Sequence, residues 1–162
     1  MEKFISNSVN ETELLAEKLV KRFGAGTIFA IFGSMGMGKT AFVRGLAKGL
    51  NLDDMVSSPT FAIVHDYSGK LIHFDMYRIN DWDELYCTGF FEYIESGAVI
   101  AIEWSENIES ALPENCIKVY FEQGDNFDQR IITVSYTHLD VYKRQGLSCQ
   151  FGMQLFKALF RR

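Results

Sequence analysis

The chain has 162 residues, of which 48% are hydrophobic, 23% are charged and only two are proline. This length favours a single domain, and the apolar share suits a packed core rather than a disordered chain. No apolar run is long enough to cross a membrane, and the N-terminus lacks the apolar stretch of a signal peptide. We therefore expect a cytoplasmic protein without membrane contact, whose three scattered cysteines are reduced thiols.

Charge is distributed unevenly along the chain. The net charge is −5, yet residues 135–162 carry five basic side chains against one acidic side chain. Residues 1–134 therefore have a net charge of −9. Such an acidic body is a poor electrostatic surface for wrapping nucleic acid unaided, and it favours contacts with other proteins over direct contact with RNA.

The first third of the chain predicts two helices separated by an apolar strand. Residues 10–26 carry a helical apolar stripe, with Asn10 as the expected N-cap and Glu13 as its capping-box partner. Residues 27–32, TIFAIF, are apolar on both faces, which is typical of a central strand in a parallel sheet. Helical spacing returns over residues 39–50.

The middle of the chain predicts more strands and one or two short helices. The helical segment covers residues 79–97, with Asn80 or Asp81 as its cap. Strands are expected, in chain order, at residues 61–67, 70–77, 98–104, 116–122 and 129–134. Helices that alternate with apolar strands predict an α/β domain, in which helices flank a mixed, mostly parallel sheet.

Residues 135–162 differ from the rest in charge and pattern. Their opening, SYTHLDVYKRQ, resembles adaptor sequence that is read through at the ends of unrelated metagenomic reading frames. We therefore expect the native domain to occupy residues 1–134, and we assign no function to the tail.

Residues 33–40, GSMGMGKT, match the phosphate-binding pattern G-x-x-x-x-G-K-[ST] between an apolar strand and a helix. The glycines let backbone N–H groups turn toward phosphate oxygens, and the helix N-terminus adds its positive dipole end. Lys39 is placed to reach the β- and γ-phosphates, and Thr40 offers a hydroxyl to Mg²⁺. The motif therefore predicts a P-loop NTPase fold. The expected nucleotide-binding residues of the loop are Gly33, Ser34, Met35, Gly36, Met37, Gly38, Lys39, Thr40 and Ala41.

Two acids and one threonine are candidates to complete the site. Asp75 and Glu103 each end a predicted strand, and ligands collect at the carboxyl ends of parallel strands. One acid would hold Mg²⁺ and the other would orient the attacking water, although each could also be a solvated residue at a strand exit. Thr60, in the loop SSPTF, could sense the γ-phosphate through Mg²⁺. From spacing alone, an ordinary Pro-Thr entry into a strand explains Thr60 better.

The segments GSMGMGKT, SSPTF, HFDMYRI, TGFFEYI and IEW occur in this order. Together they resemble the bacterial TsaE family, also called YjeE, over about residues 5–134. Members of that family are small P-loop ATPases of tRNA N6-threonylcarbamoyladenosine synthesis. The resemblance implies ATP and Mg²⁺ as cofactors. The residues that it assigns to nucleotide, metal and hydrolysis are Lys39, Thr40, Thr60, Asp75, Glu103 and Trp104.

The resemblance also implies partners. An accessory ATPase of this family binds the TsaB–TsaD pair, and its hydrolysis of ATP resets that complex between rounds of threonylcarbamoyl transfer to adenosine 37 of tRNA. Contact with tRNA would then be indirect, through the complex.

Two loop residues depart from the family pattern, and two other functions stay open. Ser34 stands in place of a usual acid, and Met37 in place of a usual alanine, but the backbone makes most of the phosphate cradle. A nucleotide-holding module without turnover is one alternative, and a small P-loop kinase is the other, although no arginine-rich lid is visible. No guanine-reading Asn-Lys-x-Asp string occurs, which argues against a GTPase.

Overall fold

The computed structural model describes residues 1–52, 56, 59 and 62–136. Its strands are β1 (Glu2–Ser6), β2 (Ile28–Phe32), β3 (Val64–Tyr67), β4 (Leu71–Asp75), β5 (Val99–Glu103), β6 (Ile117–Gln123) and β7 (Arg130–Ser135). Its helices are α1 (Val9–Phe23), α2 (Lys39–Gly49), α3 (Trp82–Cys87), α4 (Phe90–Tyr93) and a 3-10 helix (Ser105–Ala111). Thr60 and the tail from residue 137 lie outside the described residues, so the expectations for them stay predictions.

The seven strands of the described ranges form one sheet in the order β1-β7-β6-β2-β5-β4-β3. The four central strands β6, β2, β5 and β4 are parallel neighbours, whereas both edges of the sheet pair antiparallel. Strands β2, β4 and β5 are buried along their whole length, as expected when both faces are covered. The predicted α/β fold is confirmed, and the parallel strands bring their carboxyl ends to one edge.

Strand β2 divides its side chains between two apolar cores. Phe29 and Ile31 face the core formed with α1 and α2. Ala30 and Phe32 belong to the core on the other face, which also contains Leu85 of α3. Because side chains alternate along a strand, an all-apolar run serves both layers and holds the loop that follows it between two packed cores.

Helix α1 begins before the predicted position. Its N-cap is Ser8, whose backbone is extended and whose hydroxyl accepts a hydrogen bond from the Glu11 N–H at 3.2 Å. The prediction that Asn10 and Glu13 cap this helix was wrong, because Ser8 already has the extended conformation of a cap and Asn10 lies within the first turn. Glu13 is instead a buried residue at the contact with α2.

Helices α1 and α2 meet through one carboxylate and one glycine. The carboxylate of Glu13 accepts hydrogen bonds from Arg44 Nε at 2.9 Å and Lys48 Nζ at 2.5 Å. Burial opposes its ionisation, but these two bonds outweigh burial and lower the pKa of Glu13. A Cβ atom at Gly45 would lie 2.2 Å from the Glu13 carbonyl oxygen, so only glycine permits this helix spacing.

Strand β1 was missed by the sequence analysis. It pairs antiparallel with β7, with Glu2 opposite Val134, and its mixed polar and apolar residues give no strong local signal. Strand β7 continues one residue beyond the predicted end, to Ser135, which pairs with Lys118 of β6. The expected domain end near Val134 stays a prediction.

No helix within the described residues is long and apolar enough to cross a membrane. Two of the three cysteines fall in these ranges and both carry free thiols: Cys87 is exposed and Cys116 is buried. The strands expected at residues 61–67 and 70–77 are observed as the antiparallel pair β3 and β4, and Asp81 caps α3 as predicted.

Candidate functional site

The loop between β2 and α2 has the backbone that a phosphate cradle requires. Gly33, Gly36 and Gly38 have φ values of 139°, 76° and 99°, a region that side chains larger than glycine rarely adopt. A Cβ atom at Gly33 would also lie 2.9 Å from both the Cβ and the carbonyl oxygen of Phe121. The loop is therefore shaped by its own glycines and by close approach to β6.

Lys39, the first residue of α2, is buried at the mouth of this loop. Its Nζ donates to the carbonyl oxygens of Gly33 at 2.5 Å and Ser34 at 2.9 Å. The same ammonium lies 3.8 Å from the centroid of the Trp104 ring, which is within the range of a cation–π contact. The lysine is thus held against the loop that it is predicted to serve.

Burial lowers the pKa of Lys39 below its ordinary value of 10.5. The desolvation of the ammonium is the main cause, and the nearby carboxylates of Glu103, Glu106 and Asp75 oppose it only in part. The negative charge of a bound phosphate would stabilise this ammonium further. The electrostatics therefore favour a strongly anionic ligand.

We expect nucleotide binding to take up protons at alkaline pH. Bound phosphates raise the lowered pKa of Lys39, so between the free and bound pKa values the lysine gains a proton when nucleotide binds. Affinity should then fall as pH rises through the free-protein pKa. Calorimetric titration in two buffers of different ionisation enthalpy measures the uptake, which Lys39→Met should abolish. Equal binding heats in both buffers across the alkaline range would contradict the prediction.

The two predicted acids end neighbouring strands. Asp75 on β4 lies directly opposite Glu103 on β5 in the parallel register, and both are buried. Glu103 Oε2 accepts a hydrogen bond from Thr40 Oγ1 at 3.2 Å, and Asp75 Oδ1 accepts one from the Tyr77 N–H at 3.1 Å. The structure therefore brings Thr40, Asp75 and Glu103 to the same edge of the sheet as the loop.

Trp104, whose role at the site stays a prediction, follows Glu103, and its ring lies beside the Lys39 ammonium. Its backbone is left-handed, with φ 59° and ψ 41°, a conformation that is uncommon for a bulky residue. The ring also packs on Tyr77, with centroids 4.7 Å apart. With this uncommon backbone conformation, the indole ring lies beside the Lys39 side chain.

The remaining predicted loop residues differ in exposure. Ser34 and Met35 are exposed, Met37 packs partly against the core, and Ala41 is buried in it. Thr60 lies outside the described residues. The roles of all these residues stay predictions.

Two residues at the site were missed by the sequence analysis. His73 on β4 is fully buried, and its Nε2 lies 2.9 Å from Glu103 Oε1. Arg130 on β7 donates to the carbonyl oxygens of Met37 at 3.2 Å and Gly36 at 3.4 Å, so it holds the loop from outside. His73 precedes Asp75 by two positions, a spacing that puts both side chains on one face of a strand, whereas no local signal marks Arg130.

The oxygen groups at this edge have the chemistry that Mg²⁺ prefers. Within the described ranges, no set of three or more His, Cys, Asp and Glu side chains forms a metal site by itself. In nucleotide sites, one or two carboxylates usually hold Mg²⁺ together with phosphate oxygens and waters. The hydroxyl of Thr40 and the carboxylates of Glu103 and Asp75 fit that requirement.

These features define a P-loop nucleotide-binding protein of the α/β class. The family model described as "Threonylcarbamoyl adenosine biosynthesis protein TsaE" matches residues 6–132. The chain therefore belongs to the TsaE family, as its motifs indicated.

Individual relatives agree with this assignment. The chain is 33% identical over 126 residues to the tRNA threonylcarbamoyladenosine biosynthesis protein TsaE of Bacillus subtilis, covering 76% of this chain and 78% of that protein. It is 37% identical over 111 residues to the protein of the same name from Aquifex aeolicus, covering 65% and 78%. The crystal structure of Bacillus subtilis YdiB matches with a TM-score of 0.70 and 29% identity, covering 83% of this chain and 84% of that chain.

Proposed function

We propose that this protein is a Mg²⁺-dependent ATPase that acts in tRNA N6-threonylcarbamoyladenosine biosynthesis, together with a TsaB–TsaD type complex. Its relatives are named for that biosynthesis. The observation that carries the ATPase part is the contact between Thr40 and Glu103 at 3.2 Å, beside the buried Lys39. This Thr40–Glu103 contact joins the P-loop to an acid on a neighbouring strand.

The loop residues would hold the nucleotide. Backbone N–H groups of residues 33–40 and the N-terminus of α2 would bind the phosphates, and Lys39 would neutralise the β- and γ-phosphates. Thr40 would bind Mg²⁺, with Glu103 and Asp75 as the carboxylates nearest to it. When bound, Mg²⁺ supplies charge neutralisation for the phosphoryl group in transfer.

The two carboxylates would divide the remaining work. Glu103 is held at both oxygens, by Thr40 and by His73, so its position relative to the loop is defined. A carboxylate fixed in this way can accept a hydrogen bond from the attacking water and orient it in line with the γ-phosphate. Asp75, one strand further along, would complete the metal side of the site.

A partner would be needed for rapid turnover. P-loop enzymes gain several orders of magnitude in rate from an arginine that stabilises transition-state charge. Arg130, which contacts the loop, is bonded to loop carbonyl oxygens, and Arg44 on α2 is bonded to Glu13. We therefore propose that the TsaB–TsaD type complex completes the site. We also propose that the protein reaches tRNA only through this complex and that it works in the cytoplasm.

The test is Mg-ATP hydrolysis by the full chain, alone and with the TsaB–TsaD pair. We expect a rise in rate with the partners and its loss in Lys39→Ala, together with about 10- to 100-fold weaker ATP binding, the cost of losing one charge-assisted hydrogen bond to phosphate. Lys48→Ala is the matched control: it removes an exposed lysine of the same helix, whose bond is to Glu13.

Two outcomes would separate the alternatives. A partner-dependent rate that survives in Lys48→Ala and vanishes in Lys39→Ala supports the proposal. Tight ATP binding with no hydrolysis in either condition would overturn it in favour of a nucleotide-holding module.

A further inference from the structure

A buried imidazole lies behind the acid of the proposed site. His73 is fully buried in the middle of β4, and its Nε2 lies 2.9 Å from Glu103 Oε1. Its other ring nitrogen, Nδ1, is also buried and has no hydrogen-bond partner among the described residues. Buried polar atoms are nearly always paired, so this position needs an explanation other than packing.

The pairing determines which nitrogen carries the proton. A carboxylate oxygen is a hydrogen-bond acceptor, so in this contact the N–H at His73 Nε2 is the donor and Glu103 Oε1 is the acceptor. Nδ1 has no partner among the described residues, and an unpaired buried polar atom costs stability. An apolar side chain would fill the same space without that cost. The imidazole therefore contributes something that an apolar residue cannot, namely one directed donor toward Glu103.

The sheet makes this donor rigid. His73 lies opposite Ala101 in the parallel register of β4 and β5, and the small side chain of Ala101 leaves room for the ring. Glu103 is two residues beyond Ala101, on the same face of β5. Strand pairing thus fixes the distance between the ring and the carboxylate more firmly than a loop would.

Glu103 is held at both of its oxygens. Oε1 accepts from His73, and Oε2 accepts from Thr40 at 3.2 Å. With Oε1 tied to the strand behind it, rotation of the carboxylate is restricted and Oε2 stays turned toward the P-loop. Partners of this kind, behind the groups that face a metal, set the orientation of those groups.

We propose that His73 is a positioning residue for Glu103: it donates from Nε2 to Oε1 and thereby keeps Oε2 turned toward Thr40 and the Mg²⁺-nucleotide. This inference rests on the proposed function of the P-loop and its acids. His73 would act only through Glu103, without contacting nucleotide or metal itself.

The test compares three variants of the full chain. His73→Leu removes the donor, and His73→Gln keeps an amide N–H near the position of Nε2. His65→Leu is the matched control, because His65 lies opposite His73 on β3 and is exposed. The readouts are affinity for a non-hydrolysable ATP analogue without metal, Mn²⁺ affinity of the analogue-loaded protein by electron paramagnetic resonance, and hydrolysis at saturating Mg-ATP.

We expect His73→Leu to bind the analogue as the wild type does, while Mn²⁺ affinity and saturated hydrolysis each fall by about 10- to 100-fold. His73→Gln should recover most of both losses, and His65→Leu should lose neither. If His73→Leu does not fold, His73→Asn replaces it, because its amide is too short to reach Glu103.

Other results would overturn the inference. The first is a folded His73→Leu or His73→Asn variant with unchanged Mn²⁺ affinity. The second is an equal loss of Mn²⁺ affinity and hydrolysis in His73→Gln and His73→Leu, which would indicate that only the packing of the ring matters. If the wild type binds the analogue but hydrolyses nothing, the ATPase proposal fails, while the Mn²⁺ comparison still decides the role of His73.

Discussion

Replacing Gly45 with alanine is expected to destabilise the fold by about 3 kcal/mol or more, at the upper end of what overpacking costs. The new Cβ would lie 2.2 Å from the Glu13 carbonyl oxygen and 2.7 Å from the Ala16 Cβ. Both obstacles belong to α1 and neither is the end of a flexible side chain, so the two helices must separate. Alanine's better helix propensity offsets only about 1 kcal/mol of this cost.

Urea unfolding measures the effect as a lower midpoint at an unchanged slope. Gly49→Ala is the graded comparison, since the closest atom there, at 2.3 Å, is the Val20 side-chain Cγ1, and the nearest backbone atom is 3.0 Å away. Its loss should be smaller than that of Gly45→Ala. Wild-type stability in Gly45→Ala would show that the helices are not as close as described.

Replacing Glu103 with glutamine is expected to lower ATP hydrolysis by about 10²- to 10⁴-fold, the usual contribution of a positioned acid–base group. The amide has the same shape, and its oxygen can still accept the hydrogen bond from His73. The amide lacks the negative charge that would orient the attacking water and bind Mg²⁺. The measurement is hydrolysis at saturating Mg-ATP in the presence of the partner complex.

Asp75→Asn is the companion variant for this prediction. In Asp75→Asn, the amide oxygen can still accept the hydrogen bond from the Tyr77 N–H. We therefore expect this variant to keep its local fold. We expect a smaller loss of hydrolysis than in Glu103→Gln, because it is Glu103 that contacts Thr40. Metal-free nucleotide affinity should stay near the wild-type value in both. A wild-type rate in Glu103→Gln would remove this residue from the mechanism.

The loop and its surrounding strands could be predicted from the sequence because their signals are local. Glycine is strongly favoured where φ is positive, so the spacing of Gly33, Gly36 and Gly38 carries the backbone shape in the residue types themselves. Apolar runs such as β2 and β5 predict buried parallel strands for a similar reason. Asp75 and Glu103 could be placed because the ends of parallel strands meet at one edge.

Contacts between residues that are far apart in the sequence could not be predicted in this way. Strand β1 exists because β7 lies beside it, with Glu2 opposite Val134, and its own residues do not specify a strand. The need for glycine at position 45 arises only from α1, whose Glu13 and Ala16 pack against it. The capping prediction for α1 failed for a local reason: Ser8, two residues before Asn10, is already the N-cap of the helix.

The sequence by itself determined the class of this protein: a glycine-rich phosphate loop on an α/β sheet, with a lysine, a threonine and two acids at strand ends. Only the tertiary structure decided how those groups are held. His73 reaches Glu103 across 30 residues of chain, and Arg130 reaches the loop across 93. The reason is physical: backbone shape depends on each residue and its neighbours, whereas a hydrogen bond between strands depends on pairing and register.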